Sequence, residues 1–108
     1  MTGEEFVRLC FAEKESTLSE YCCAETESIV GAMVRELVRA GADQDMLHKL
    51  LDLVLTENWY RILLALDGSA SLGGEQMTYE VRDEDGNILN ECGELETAAW
   101  EVFMERDN

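Results

Sequence analysis

The feature that most restricts the fold is the helical periodicity of "DMLHKLLDLVLTENWYRILLALDG", residues 45–68. Its apolar side chains recur every three or four residues, so they share one helix face: Leu47, Leu50, Leu51, Val54, Leu55, Trp59, Ile62, Leu63 and Leu66. Asp43 suits the N-cap and Gly68 suits the end of such a helix. Unless it breaks at Thr56–Asn58, the helix spans about 35 Å, which is a domain diameter. The sequence therefore predicts a central helix.

Two further helical patterns precede this element. Thr2 and Glu5 fit a capping box ahead of the apolar face of Phe6, Leu9 and Cys10. A second apolar stripe ends at Gly41, which suits a left-handed C′ residue; the stripe comprises Ile29, Val30, Met33, Val34, Leu37 and Val38. Between the two, a helix begins after a capping box at Thr17, or the boundary is "AETES", residues 24–28. Residues 18–40 thus form one helix or two.

The pattern changes after Gly68. "GSASLGG", residues 68–74, is typical of a loop, whereas residues 75–82 alternate apolar and polar as a half-buried strand does. An Asp-Gly turn and the short strand 88–92 would complete a two-stranded antiparallel hairpin. We therefore predict a mainly helical α+β fold with three to four N-terminal helices. Residues 1–108 form one domain, divided into a helical region over 1–67, a loop 68–74, a hairpin 75–92 and a terminal helix 93–108.

The acidic run "VRDEDGNILNEC", residues 81–92, also invites comparison with a calcium-binding loop. With Gly86 at position 6, Asp83 and Asp85 fall at positions 3 and 5, as an EF-hand requires. Val81 and Cys92 then occupy positions 1 and 12, where carboxylates are needed. The pattern favours a tight turn, and we predict no metal site.

Charge narrows the range of partners. The chain has 24 acidic and 8 basic residues, a net charge of -16. Such a charge repels nucleic acids and anionic membranes and attracts basic proteins. From Glu75 to Asn108 there are 11 acidic residues and two basic ones. We expect a basic protein partner, no direct nucleic-acid binding and no membrane association. The alternative is that the acidity serves solubility only.

The sequence also indicates a compartment. "MTGEEFVRLCF" carries acidic residues where a signal peptide would be basic, and no stretch has the roughly 20 apolar residues that span a bilayer. The four cysteines lack zinc or CxxC spacing. Reduced thiols and a cytoplasmic location are expected.

No assembled catalytic motif is visible, and His48, the single histidine, fits a helix surface. In size, charge and this lack of a motif, the chain is similar to small acidic inhibitor proteins of bacteria and phages: immunity proteins, nuclease inhibitors, DNA mimics and anti-CRISPR proteins. We therefore expect a non-enzymatic interaction module that covers a basic site on a nuclease or another nucleic-acid-binding enzyme. The predicted contact residues are Asp83, Glu84, Asp85, Glu91, Glu94, Glu96 and Trp100.

Two alternatives to this function stay open. One is a homo-oligomeric structural or regulatory subunit. The other is a small enzyme that uses cysteine, His48 or carboxylates. We predict no catalytic residue and no cofactor, and the sequence leaves the oligomeric state undetermined.

Overall fold

The computed structural model describes residues 1–105, in which all regular elements are helical and a long loop, residues 67–90, precedes the last helix. A 3-10 turn, Glu91–Gly93, precedes the last helix, and a π-helical turn, Trp100–Met104, continues it. The four α-helices are α1 (Gly3–Tyr21), α2 (Ile29–Arg39), α3 (Gln44–Leu66) and α4 (Glu94–Ala99).

Local capping fixes the start of α1 as predicted. The Thr2 hydroxyl accepts the Glu5 N–H at 3.1 Å, and the Glu5 carboxylate accepts the Thr2 N–H at 2.7 Å. Thr17 forms no second capping box, because its hydroxyl donates to the Glu13 carbonyl inside α1. The "AETES" segment is therefore the boundary, and Ser28 caps α2 by accepting the Gly31 N–H.

The central helix is also confirmed. Its N-cap is Asp43, whose carboxylate accepts the Met46 N–H at 3.0 Å. The helix continues through Thr56 without a break. Upstream, Gly41 has φ +105°, and the N–H of Ala42 donates to the Leu37 carbonyl, which is the pattern of a Schellman ending of α2.

The predicted hairpin is wrong. The Asp-Gly turn is present, with Gly86 at φ +84° and its N–H donating to the Asp83 carbonyl. The flanking residues make a single antiparallel bridge, Arg82 with Ile88, and a second isolated bridge joins Leu72 to Glu75. Within residues 1–105 neither bridge extends into a strand, so the fold is mainly helical and not α+β.

Asn90 provides a physical reason for this difference. Its side-chain oxygen accepts the Val81 N–H at 3.0 Å, and its amide donates to the carbonyls of Tyr79 and Leu66. Side-chain bonds of this kind compete with a strand ladder. A two-stranded ladder is itself only marginally stable in water. The segment is therefore a loop fastened to the C-terminal end of α3.

The core lies where α4 packs on α1 and α3. Lys14 contacts Asp52 while Val7 and Leu63 share the core, so α1 and α3 run antiparallel. Phe103 packs its ring edge-on to Phe11 of α1, at a centroid distance of 5.3 Å. The buried residues of the cluster are Val7, Cys10, Leu63, Leu95, Ala98, Ala99 and Phe103.

Gly3 allows the N-terminus of α1 to approach the loop and α4 closely. A Cβ at this position would lie 2.1 Å from the Leu89 carbonyl oxygen. The Gly3 N–H donates to the Glu94 carboxylate at 2.9 Å. This junction places one end of α1 beside the acidic turn and the start of α4.

The molecule is elongated. Its principal extents are 47 × 29 × 29 Å, and its radius of gyration is 16.2 Å. A compact chain of this length has a radius of gyration of about 13 Å. α4 covers one half of the antiparallel pair α1 and α3, whereas α2 packs against α1. No helix in residues 1–105 combines the length and the apolar character required to cross a bilayer.

Candidate interaction surfaces

The first candidate site is an open groove between the start of α1 and one side of α4. Within residues 1–105 its lining contains four carboxylates and no basic side chain. The groove is lined by Glu4, Glu91, Cys92, Glu94, Thr97, Ala98 and Glu101. Glu84 and Asp85 lie exposed in the nearby turn. We call Glu4, Glu84, Asp85, Glu91, Glu94 and Glu101 the acidic surface.

Asp83, which we predicted to contact a partner, is used inside the molecule instead. Its carboxylate lies 2.6 Å from the Met1 amino group, and it accepts the backbone N–H groups of Asp85 and Asn87. The hydrogen bond from the Met1 ammonium, followed by those from Asn87, holds the pKa of Asp83 well below its ordinary value. Its charge therefore organises the turn, and its side chain is only 12% exposed.

Two more predicted carboxylates also have intramolecular roles. Glu94 accepts the Gly3 N–H, although it still lines the groove. Glu96 accepts the Ser69 hydroxyl at 2.5 Å, and it does not line the groove. Glu84, Asp85 and Glu91 are exposed and form no ion pair within the described residues. These three are the predicted residues most available to a partner.

Trp100, in the π-helical turn that continues α4, points away from the groove and toward α3. Its indole N–H donates to the Glu105 carboxylate at 2.9 Å, and its ring tilts against Tyr60 of α3 at 6.4 Å. The side chain is 48% exposed. Trp100 and the groove carboxylates therefore do not form one continuous site.

Sequence reasoning missed Glu4 and Glu101. They are separated by nearly the whole chain, and only the packing of α4 on the N-terminal half of α1 brings them to one groove. No local pattern indicates that proximity.

A second surface was also missed, because six of its residues were assigned to the apolar stripes of two helices, and Met46 and Leu53 were not singled out. Eight of the fourteen exposed large apolar side chains in residues 1–105 lie between Ile29 and Val54. They occupy one face of α2 and one face of the first half of α3. We call them the apolar surface: Ile29, Val30, Met33, Leu37, Met46, Leu50, Leu53 and Val54.

The remaining reactive side chains include the cysteines and the single histidine. No three His, Cys, Asp or Glu side chains among residues 1–105 are placed to hold a metal ion. The four cysteines are free, and burial raises the pKa of the Cys10 and Cys22 thiols, which disfavours the reactive thiolate. His48 is exposed on α3.

Comparison with known proteins adds no assignment. No family model, no curated protein and no solved structure matches this chain. A functional proposal therefore depends on the chemistry of the acidic and apolar surfaces.

Proposed function

We propose that the protein is a non-enzymatic, cytoplasmic interaction module that binds a basic protein through the acidic surface. The observation that carries this proposal is the groove lined by four carboxylates without a basic side chain in the described residues. Glu84 and Asp85 extend the same charge onto the adjoining turn. The free thiols of the described cysteines fit the reducing cytoplasm.

The grouping of the carboxylates is what a partner would detect. At physiological salt, charges farther apart than about 8 Å are largely screened. Four carboxylates around one groove act together, whereas the same charges scattered over the surface would not. A complementary partner carries clustered Lys and Arg, as the nucleic-acid site of a nuclease does, so the module would act as an inhibitor or immunity-type protein.

The first experiment is affinity capture of a partner from the native host, followed by association kinetics at increasing salt. Steering by opposite charge predicts an on-rate that falls steeply as salt screens the acidic surface. An on-rate that is the same at low and high salt would contradict the proposal.

A pair of charge-matched variants separates the acidic surface from total charge. In the first, Glu84→Gln, Asp85→Asn and Glu91→Gln remove three negative charges from the acidic surface. In the control, Glu20→Gln, Glu25→Gln and Glu27→Gln remove three from exposed positions around the end of α1. We expect the first to slow association at low salt by about tenfold and the control to have little effect. Equal effects would mean that only net charge matters.

A second candidate function is a homo-oligomeric structural or regulatory subunit. The apolar surface favours it, because eight large apolar side chains lie exposed on two consecutive helices, and exposed apolar area of this extent is typical of interaction sites. Sedimentation velocity at increasing protein concentration tests this candidate without any knowledge of a partner.

A further inference from the structure

We propose that the apolar surface is the interface of a homodimer, in which α2 and the first half of α3 pack against the same elements of a second copy. The inference deepens the second candidate function and rests on it. It is independent of basic-partner binding by the acidic surface.

The first argument is the weak support that α2 receives within one chain. α2 has 11 residues, and its buried residues are Gly31 and Val34. Isolated helices of this length are marginal in water, and most helix stability in proteins comes from packing of an apolar face. The face that contains Met33 and Leu37 is instead exposed. A second copy would supply the missing packing.

The first half of α3 gives the second argument. Asp52 and Thr56 face Lys14 of α1, whereas Leu50 and Val54 are more than half exposed on another side. A helix with apolar residues on several sides is typical of an element covered from several directions. Among the described residues, Lys14 of α1 covers one of those directions, and the side that carries Leu50 and Val54 lies open.

The area that the whole chain exposes is large enough to supply a dimer interface. The chain exposes 7275 Å², and its mass is 12.2 kDa. A compact monomer of that mass exposes roughly 6,100 Å². The excess is roughly 1,200 Å² per chain, and two copies that buried it would form an interface of about 2,400 Å² in total, within the range of obligate homodimers.

Charge explains why the second copy approaches at this place. Each chain carries a net charge of -16, so most pairs of surfaces repel. Residues 28–55, which contain the apolar surface, have three basic and four acidic side chains. Almost all of the net charge therefore lies outside this segment, and repulsion between two copies is smallest here.

The same segment is self-complementary. Arg39 and Lys49 have no acidic partner within 4.0 Å among residues 1–105, and Asp45 lies exposed near them in sequence, in the first turn of α3. In a twofold interface, if one residue contacts a second residue of the other copy, the second residue of the first copy also contacts the first residue of the other. A surface that carries both positive and negative side chains can therefore pair with a second copy of itself. These side chains would form the polar rim around the apolar contact.

The test is sedimentation velocity of the full chain from about 1 to 100 µM, a range that brackets micromolar association. The wild type is expected to sediment as a dimer that dissociates on dilution. In the interface variant, Met33→Gln with Leu50→Gln, we expect the dissociation constant to rise by about 100-fold or more. Glutamine keeps the charge and favours helix, so the monomer fold should persist.

A matched control uses the same substitutions elsewhere. Met77→Gln with Leu9→Gln changes side chains that are 58% and 56% exposed, whereas Met33 and Leu50 are 54% and 56% exposed. The control variant is expected to dimerise as the wild type does. Circular dichroism of each variant at low concentration verifies that the helices are retained.

The outcomes distinguish a wrong choice of dimer surface from a wrong assignment of the oligomeric-subunit function. A wild type that is monomeric across the whole range overturns both the dimer and the oligomeric-subunit function. A dimer that the interface variant leaves intact overturns the assigned surface but keeps the subunit function. Larger, open-ended assemblies would overturn the twofold arrangement. None of these three results bears on the acidic surface, whose charge variants are tested separately.

Discussion

At the scale of single residues, Asp67 joins two helices. It follows α3 as the C-cap residue, and its carboxylate accepts the Glu96 N–H at 2.9 Å in the first turn of α4. The N-cap residue of α4 is Gly93, which has no side chain to provide that bond. Asp67 therefore caps α4 from outside the helix.

The same carboxylate is held in an unfavourable environment. Burial raises the pKa of Asp67, the nearby Glu96 and Glu94 carboxylates raise it further, and the hydrogen bond from Glu96 opposes them. Its Oδ1 atom is buried without a hydrogen-bond partner among the described residues. Charge on Asp67 thus costs stability although the cap itself is useful.

The first prediction is that Asp67→Asn stabilises the fold near neutral pH. Because the pKa of Asp67 is raised in the folded state, protonated Asp67 contributes stability to the fold. This contribution is fully present below the pKa that Asp67 has in the unfolded state, and it is lost as pH rises through its pKa in the folded state. Asparagine keeps an acceptor for the Glu96 N–H and cannot ionise. Thermal melts should show a higher Tm for the variant at about pH 7 and a smaller difference at about pH 4.

Asp67→Ala is the control for the cap. It removes the ionisable group and the acceptor together, so it should lose the capping contribution of about 1 kcal/mol. A Tm difference between Asp67→Asn and wild type that does not change with pH would contradict the electrostatic account.

At the scale of elements, a buried polar cluster sets the register of α1 relative to α3. The Lys14 ammonium is fully buried, lies 2.7 Å from the Asp52 carboxylate and sits 4.6 Å from the centre of the Phe11 ring. Thr56 donates to the same carboxylate at 3.3 Å. The cluster fixes how far one helix is shifted along the other, where the apolar residues alone would tolerate other registers.

The second prediction concerns the two partners of this cluster. Asp52→Ala leaves a buried ammonium whose remaining carboxylate contact is Glu15 at 3.3 Å, and we expect a loss of about 3 kcal/mol in unfolding free energy. Lys14→Met leaves the Asp52 carboxylate without the ammonium, but this carboxylate is 25% exposed and stays partly hydrated, so we expect a smaller loss of about 1 kcal/mol. Urea denaturation measures both values.

The double variant Lys14→Met with Asp52→Ala completes this test. It should be more stable than Asp52→Ala alone, since no charge is then left buried. If Lys14→Met costs as much as Asp52→Ala, the ion pair itself stabilises the fold and our account of the cluster is wrong.

At the scale of the whole molecule, the chain places its charge and its exposed apolar area in different regions. The acidic surface adjoins the start of α1, whereas the apolar surface lies on α2 and the first half of α3. Two copies joined through the apolar surface would leave both acidic surfaces free for other partners.

The third prediction is that salt has opposite effects on the two proposed interactions. Raising salt from about 50 to 500 mM screens repulsion between two highly negative copies, so dimerisation should strengthen. The same change should weaken capture of a basic partner, because attraction is screened as well. Sedimentation and binding kinetics in matched buffers measure both trends. A dimer that salt weakens would indicate an interface held by ion pairs.

The turn at Asp83–Asn87 could be predicted from the sequence, whereas the absence of a hairpin around it could not. Asp-Gly specifies a turn locally, because glycine adopts a positive φ without steric cost. Whether the flanks then pair depends on what else binds their backbone groups. Here Asn90 binds Val81 and connects it to Leu66 on another element, and no alternation pattern contains that information.

Short-range interactions account for the features that were predicted correctly: the capping box at Thr2, the Asp43 N-cap, the ending at Gly41, the Asp-Gly turn and the helical periodicity of α3, whose possible break at Thr56–Asn58 is absent. Each depends on residues a few positions apart. Long-range packing, by contrast, brings Glu4 to Glu101, uses Asp83 internally and leaves four of the six residues of the α2 stripe exposed. Periodicity shows that a helix has an apolar face, but what covers that face depends on distant segments of the chain or on another molecule.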